Sequence, residues 1–103
     1  MVSSVIVQSG VLNSATLGCE LAAQVLEQLS LGASVHIRAT DVSRVTPSFA
    51  NAFVMTVLER FPDAFASHRC TIEADAWVDD AFVASMDRYA RGIRLSGQRA
   101  ICC

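Results

Sequence analysis

Three strand-like segments alternate with three amphipathic helical segments along the chain, and this order limits the possible folds more than any other feature. The strand-like segments are centred on residues 5–7, on "ASVHIRA" and on "RCTIEADA". Each is followed by a stretch whose apolar residues recur every three or four positions, as in a helix that packs by one face. This alternation predicts a small α/β domain, with a central, mostly parallel sheet of about four strands packed by helices.

The chain is predicted to form a single domain over residues 1–103. A chain of 103 residues can build one hydrophobic core and has no room for a second. Hydrophobic residues make up 52% of it, which suggests either a sheet covered on both faces or a surface hidden by a partner. The last residues, "IRLSGQRAICC", fit a short edge strand or a tail equally well.

The charge pattern disfavours several classes of function. The net charge is −2, and the eight cationic side chains, all arginine, form no basic stripe, so nucleic acid is not expected as a partner. Lysine is absent, which excludes Schiff-base chemistry and a P-loop lysine. No segment has the roughly 20 apolar residues of a membrane span. The beginning "MVSSVIVQSG" does not resemble a signal peptide, so we expect no membrane association and a cytoplasmic location.

No catalytic or metal-binding pattern stands out, so we expect neither an enzyme nor a cofactor. His36 and His68 are far apart, and no nucleophile elbow accompanies them. The aspartates near residues 75–80 are better explained as a favourable helix start than as a metal site. A zinc site joining His68, Cys70, Cys102 and Cys103 matches no common ligand spacing. Cys19 and Cys70 instead fit small buried apolar positions, and the pattern of cysteines does not indicate a disulfide framework.

The stretch "RVTPSFANAF" predicts a well-defined helix start. Thr46 can cap the helix with its hydroxyl group, and Pro47 suits the first helical position. The hydroxyl of Ser48 and the free N–H groups around it could bind an anion such as phosphate, or Ser48 could simply assist the cap. In the preceding helical segment, Gly18 weakens the helix and suggests close packing against a neighbour.

The same stretch, extended to "VSRVTPSFANAF", resembles the STAS-like domain family, a group of small bacterial domains related to anti-sigma-factor antagonists. The match rests on a link into the central helix of the type G-V-x-x-I-S-x-S-F-A. The matching residues in this sequence are Val42, Val45, Thr46, Ser48, Phe49 and Ala50. The order of predicted elements also agrees with the family from the first helix to Tyr89.

The resemblance implies a non-enzymatic regulatory module that binds another protein through this loop and helix start. The implied partner is a histidine-kinase-like ATPase of the anti-sigma type. Phosphorylation by that partner is the implied switch. The residues assigned to the partner-binding surface are Asp41, Ser43, Arg44, Thr46, Ser48 and Asn51. Pro47 occupies the position of the usual phosphoserine, which leaves Thr46 and Ser48 as the possible phospho-acceptors.

Two other functions fit the sequence. A small-molecule or anion sensor would bind its ligand at the carboxyl ends of the strands, beside the helix starts. A self-assembling structural subunit would explain the high apolar content, and a homo-oligomer is compatible with either function.

Overall fold

The computed structural model describes residues 2–7 and 10–91, which form a mixed α/β domain. The elements follow one another in this order: β1 (Val2–Ile6), β2 (Val11–Leu12), α1 (Ala15–Ser30), β3 (Ser34–Ala39), β4 (Arg44–Val45), α2 (Pro47–Arg60), β5 (Cys70–Ala74) and α3 (Ala76–Ala90). The predicted α/β class is therefore confirmed. None of the described helices combines the length and the apolar content needed to cross a bilayer.

The strands form two separate sheets rather than one sheet of about four strands. Strands β1, β3 and β5 make a parallel sheet in that order, and β2 pairs with β4 in a second parallel sheet of two strands. Because β2 and β4 have only two residues each, they are too short to show the alternation that identifies a strand in a sequence. The predicted number of strands is therefore only partly correct.

The larger sheet has one buried face and one open face. Its strands follow chain order, so right-handed crossovers place the connecting helices on the same side. On β3, Val35, Ile37 and Ala39 are buried, whereas His36 is half-buried and Arg38 is exposed. Parallel sheets usually have both faces covered. Within the described residues, this sheet is covered on one face only.

Helix α1 begins at a serine cap and ends at a glycine turn. The Oγ of Ser14 accepts a hydrogen bond from the backbone N–H of Leu17 at 3.2 Å, which is an N-cap. At the other end, Gly32 has a φ of 85°, a conformation that glycine adopts without a steric penalty. The N–H groups of Gly32 and Ala33 donate to the carbonyl oxygens of Leu29 and Gln28. These bonds satisfy carbonyl groups that the helix leaves free.

Helix α2 is the most buried helix and forms the centre of the core. It packs against α1 on one side and α3 on the other, while α1 contacts β1 and β3, and α3 contacts β5. Phe49 and Phe53 of α2 make edge-to-face contacts with Phe82 of α3, at centroid distances of 6.0 and 5.7 Å. Such contacts stabilise aromatic pairs beyond the burial of their area. The position of α2 fixes the site described below, because this site lies at its start.

The predictions for the cysteines are confirmed at one position and wrong at another. Cys70 is buried and free, and burial raises the pKa of its thiol to about 12. Cys19 is only half-buried and is disulfide-bonded, so it is not the buried apolar thiol that we expected. Cys102, Cys103 and the possible edge strand after residue 92 lie outside the described residues.

Candidate functional site

The backbone leading into α2 is held firmly, although it lies at the surface. The carbonyl oxygen of Gly10 accepts hydrogen bonds from the N–H groups of Ser43 at 2.7 Å and Arg44 at 3.2 Å. The N–H of Thr46 donates to the carbonyl oxygen of Leu12 at 2.9 Å. Leu12 and Val42 are buried in the core, at 2% and 5% exposure. Residues 41–48, which we call the 41–48 segment, are thereby fixed between β2 and the core.

The helix start has the predicted cap. Thr46 is the N-cap residue of α2, in an extended conformation with φ −113° and ψ 157°, and Pro47 is the first helical residue. The hydroxyl oxygen of Thr46 accepts a long hydrogen bond of 3.5 Å from the N–H of Phe49. Phe49 is 1% exposed and anchors the first turn in the core. The cap and the buried ring together set the direction of the helix.

The polar side chains of the 41–48 segment face outward, whereas Val42 points into the core. Asp41, Ser43, Arg44 and Ser48 are exposed, and Thr46 is half-buried. The hydroxyl of Ser43 donates to the carbonyl oxygen of Gly10 at 2.9 Å. The side chains of Asp41, Arg44 and Ser48 form no hydrogen bond or ion pair with any other part of the chain that the structure describes. The segment therefore presents hydrogen-bond donors and acceptors that a binding partner can engage.

Ser48 lies in the first turn of α2, where backbone N–H groups lack helical partners. No acidic residue occurs in that turn, so nothing in it offsets the positive end of the helix dipole. Thr46 differs from Ser48 because its hydroxyl already serves the cap and is less accessible. The two hydroxyl groups predicted as phospho-acceptors are therefore in different environments.

Asn51 does not belong to this surface, which corrects its assignment as a partner-binding residue. Its side chain is 1% exposed and faces α3. Its Oδ1 accepts hydrogen bonds from the Ser85 hydroxyl and from Nη1 of Arg88, both at 2.7 Å. Ser85 is itself fully buried. The sequence suggested a surface position for this polar residue near the start of a helix. In the structure it is buried, and side chains of α3 satisfy its hydrogen-bonding groups.

The contact that Arg88 of α3 makes with α2 is one that the sequence did not indicate. Arg88 lies in the last turn of α3, where a cation complements the helix dipole. Its guanidinium group also reaches Asn51 of α2, 37 residues earlier in the chain. Nothing local in the sequence connects two residues so far apart. Asn51 lies within the stretch that resembles the STAS-like family, whereas Arg88 lies outside it.

The open face of the larger sheet carries a second polar cluster, around Glu73. Nε2 of His36 is 2.9 Å from Oε1 of Glu73, and Nδ1 of His36 is 2.9 Å from the hydroxyl oxygen of Thr71. An ionised carboxylate can only accept, so Nε2 carries the proton and donates. Nε of Arg38 lies 3.8 Å from the same carboxylate oxygen. The hydrogen bond from His36 and, next, the charge of Arg38 lower the pKa of Glu73.

The residues considered for metal or nucleophilic chemistry are not brought together. His36 contacts Thr71 and Glu73 rather than a serine. His68 is exposed in a turn with a φ of 62°. Over residues 2–7 and 10–91, no group of three or more histidine, cysteine, aspartate or glutamate side chains is placed to hold a metal ion.

The fold and the site together define a small parallel α/β domain with a rigid, polar helix start on its surface. Comparisons with protein-family models, with curated proteins and with solved structures find no match. The STAS-like resemblance therefore rests on the sequence motif and the order of elements alone.

Proposed function

We propose that the protein is a non-enzymatic regulatory module that binds another protein through the 41–48 segment. One observation carries this proposal. The side chains of Asp41, Arg44 and Ser48 are exposed without partners among the described residues, on a backbone held by Gly10 and Leu12. Ordering a surface before it binds reduces the entropy that binding must overcome. Polar groups on such a surface select a partner by matching its donors, acceptors and charges.

The proposed partner is a histidine-kinase-like ATPase of the anti-sigma type, as the resemblance of the motif implies. Ser48 is the proposed phospho-acceptor, because its hydroxyl is exposed and unpaired within the described part of the chain. Thr46 is the weaker candidate, since its modification would remove the cap of α2. A phosphate on Ser48 would add nearly two negative charges. It would gain from the free N–H groups of the helix start and change the charge presented to the partner.

The test compares Ser48→Glu with a matched control, Ser67→Glu. Both serines are exposed. Ser67 lies in the turn after the other end of α2. Glutamate in the first turn of α2 interacts favourably with the helix dipole, so loss of binding cannot be attributed to loss of the helix. Wild-type protein and both variants would serve as bait in an extract of the source cells, with captured proteins identified by mass spectrometry.

We expect the wild type and Ser67→Glu to capture the same ATPase, and Ser48→Glu to lose it. The purified ATPase should then bind wild type in a calorimetric titration and transfer phosphate from ATP to Ser48. Capture of the same proteins by all three baits would refute the role of the 41–48 segment. Binding without phosphate transfer would refute the switch and leave the docking role standing.

A further inference from the structure

A cavity of about 360 Å³ opens between α1 and β1, on the side of α1 that faces the edge strand. The seam between these two elements is closed at one end, where the Ser3 hydroxyl donates to Oε1 of Gln28 at 2.9 Å. It widens toward the carboxyl end of β1 and the start of α1. The apolar walls are formed by Val5, Val7, Leu12, Leu17, Leu21 and Phe49.

Two polar side chains from α1 also line the cavity. Glu20 and Gln24 are one helical turn apart and are both exposed, so they lie at the mouth rather than at the floor. Glu20 forms no ion pair with any residue in the described ranges. The cavity thus has an apolar interior with one carboxylate and one amide at its entrance.

This combination is typical of a site for a small organic molecule. Ligand cavities span roughly 300–1,000 Å³, with apolar walls and a few polar groups that fix orientation. The carboxylate at the mouth selects the charge of the occupant, because an anion would be repelled and a cation attracted. The location also matches the sequence-based alternative of a ligand site at the carboxyl ends of the strands, but the charge of Glu20 points to a cation rather than an anion.

We propose that this cavity binds a small apolar molecule that bears an ammonium group. Its apolar part lies between Leu17 and Leu21 on one wall and Val5 and Val7 on the other. The ammonium group donates to the carboxylate of Glu20, and the amide oxygen of Gln24 accepts a further hydrogen bond. This proposal uses a different surface from the 41–48 segment and does not depend on the proposed partner.

The test uses three probes of equal chain length, namely hexylammonium, 1-hexanol and hexanoate. Each would be titrated into the full-length, isotope-labelled protein while ¹H–¹⁵N correlation spectra are recorded. We expect shifts confined to amides around the cavity, including those of Leu17, Leu21 and Phe49. Hexylammonium should bind about fivefold more tightly than 1-hexanol, which is the upper range for an ion pair at an exposed rim. Hexanoate should bind most weakly.

Two variants of α1 separate a specific site from general apolar adhesion. Glu20→Gln should make hexylammonium and 1-hexanol bind equally. Glu27→Gln removes an exposed carboxylate of the same helix that does not line the cavity, and should keep the preference. The proposal is overturned if no probe shifts the cavity amides, if hexanoate binds as tightly as hexylammonium, or if the preference survives Glu20→Gln.

Discussion

Gly18 of α1 packs directly against the backbone of Phe49 in α2: a Cβ atom built on Gly18 would lie 2.6 Å from the Phe49 carbonyl oxygen. The same atom would lie 3.1 Å from the N–H nitrogen of Phe53. Both neighbours are backbone atoms of the buried central helix, so they cannot move aside as the end of a flexible side chain can. The close contact of the two helices therefore requires glycine at this position.

We predict that Gly18→Ala destabilises the protein despite the higher helix propensity of alanine. The propensity gain is about 1 kcal/mol. Overpacking a core costs about 1–3 kcal/mol, and the backbone contact places this case at the upper end. We therefore expect the free energy of unfolding, measured by urea denaturation, to fall by about 2 kcal/mol. The control variant Ala23→Gly changes an exposed position of α1. Its change in the free energy of unfolding measures the difference in helix propensity without overpacking. An unchanged or higher stability for Gly18→Ala would show that the helices can separate easily.

The sequence predicted those features of the fold that depend on local signals. The cap at Thr46 and the proline at the first position of α2 are encoded within a few residues. Gly18 was identified as a close-packing position because an isolated glycine in an amphipathic helix needs such an explanation. These features survive because tertiary contacts reinforce them.

Features that depend on distant partners were not predictable. The pairing of β2 with β4 relies on the Gly10 carbonyl, more than 30 residues before Ser43, and on strands of two residues. Asn51 was assigned to the surface because polar residues on helices are usually solvated. Its burial depends on Ser85 and Arg88 of α3. At the candidate site, the loop side chains of Asp41, Ser43, Arg44 and Ser48 are exposed, whereas Asn51, whose neighbours come from another helix, was misplaced.

The contacts of Asn51 predict a coupling between α2 and α3. Asn51→Leu would leave the buried Ser85 hydroxyl and one N–H group of Arg88 without their acceptor. An unsatisfied buried donor costs about 1–3 kcal/mol, so urea denaturation should show a loss in that range. Ser85→Ala alone should cost about 1 kcal/mol, the usual net value of a hydrogen bond.

The double variant Asn51→Leu/Ser85→Ala distinguishes coupling from independent effects. Removing both partners eliminates the unsatisfied hydroxyl, so the double variant should lose less stability than the two single variants added together. Independent sites add to within about 0.5 kcal/mol. If the stability losses of the single variants add up to that of the double variant within this margin, the hydrogen bond between Asn51 and Ser85 contributes little to stability in solution.

The polar cluster around Glu73, on the open sheet face, predicts that the pKa of Glu73 depends on His36. The hydrogen bond from His36 and the charge of Arg38 hold the pKa of Glu73 below its ordinary value of 4.5. His36→Ala should therefore raise the pKa of Glu73, and Arg38→Ala should raise it less, because Arg38 is 3.8 Å away. A pH titration of the Glu73 side-chain carboxyl carbon by NMR measures both effects. A larger rise for Arg38→Ala would reverse the assigned order of causes.

The same titration has a consequence for stability against pH. The pKa of Glu73 is lower in the folded protein than in the unfolded chain. The stabilising contribution of the cluster is therefore complete above the ordinary pKa and is lost as the pH falls through the folded pKa. Since the side chain of Glu73 is 48% exposed, solvent and salt weaken this contribution. We therefore expect the free energy of unfolding to fall only slightly as the pH is lowered through the folded pKa of Glu73. In His36→Ala this fall should be smaller still.

The burial of Cys70 predicts that its thiol resists alkylation and that the protein loses stability at alkaline pH. Burial raises the pKa of this thiol from 9.0 to about 12, and only the thiolate reacts with alkylating reagents. Iodoacetamide at mildly alkaline pH should therefore leave Cys70 unmodified in the native protein and label it in guanidinium chloride, as mapped by peptide mass spectrometry. Between pH 9 and 12 the unfolded thiol releases its proton while the folded one keeps it, so the free energy of unfolding should fall as the pH rises through this range. Rapid native labelling of Cys70 would show that β5 opens far more often than its burial implies.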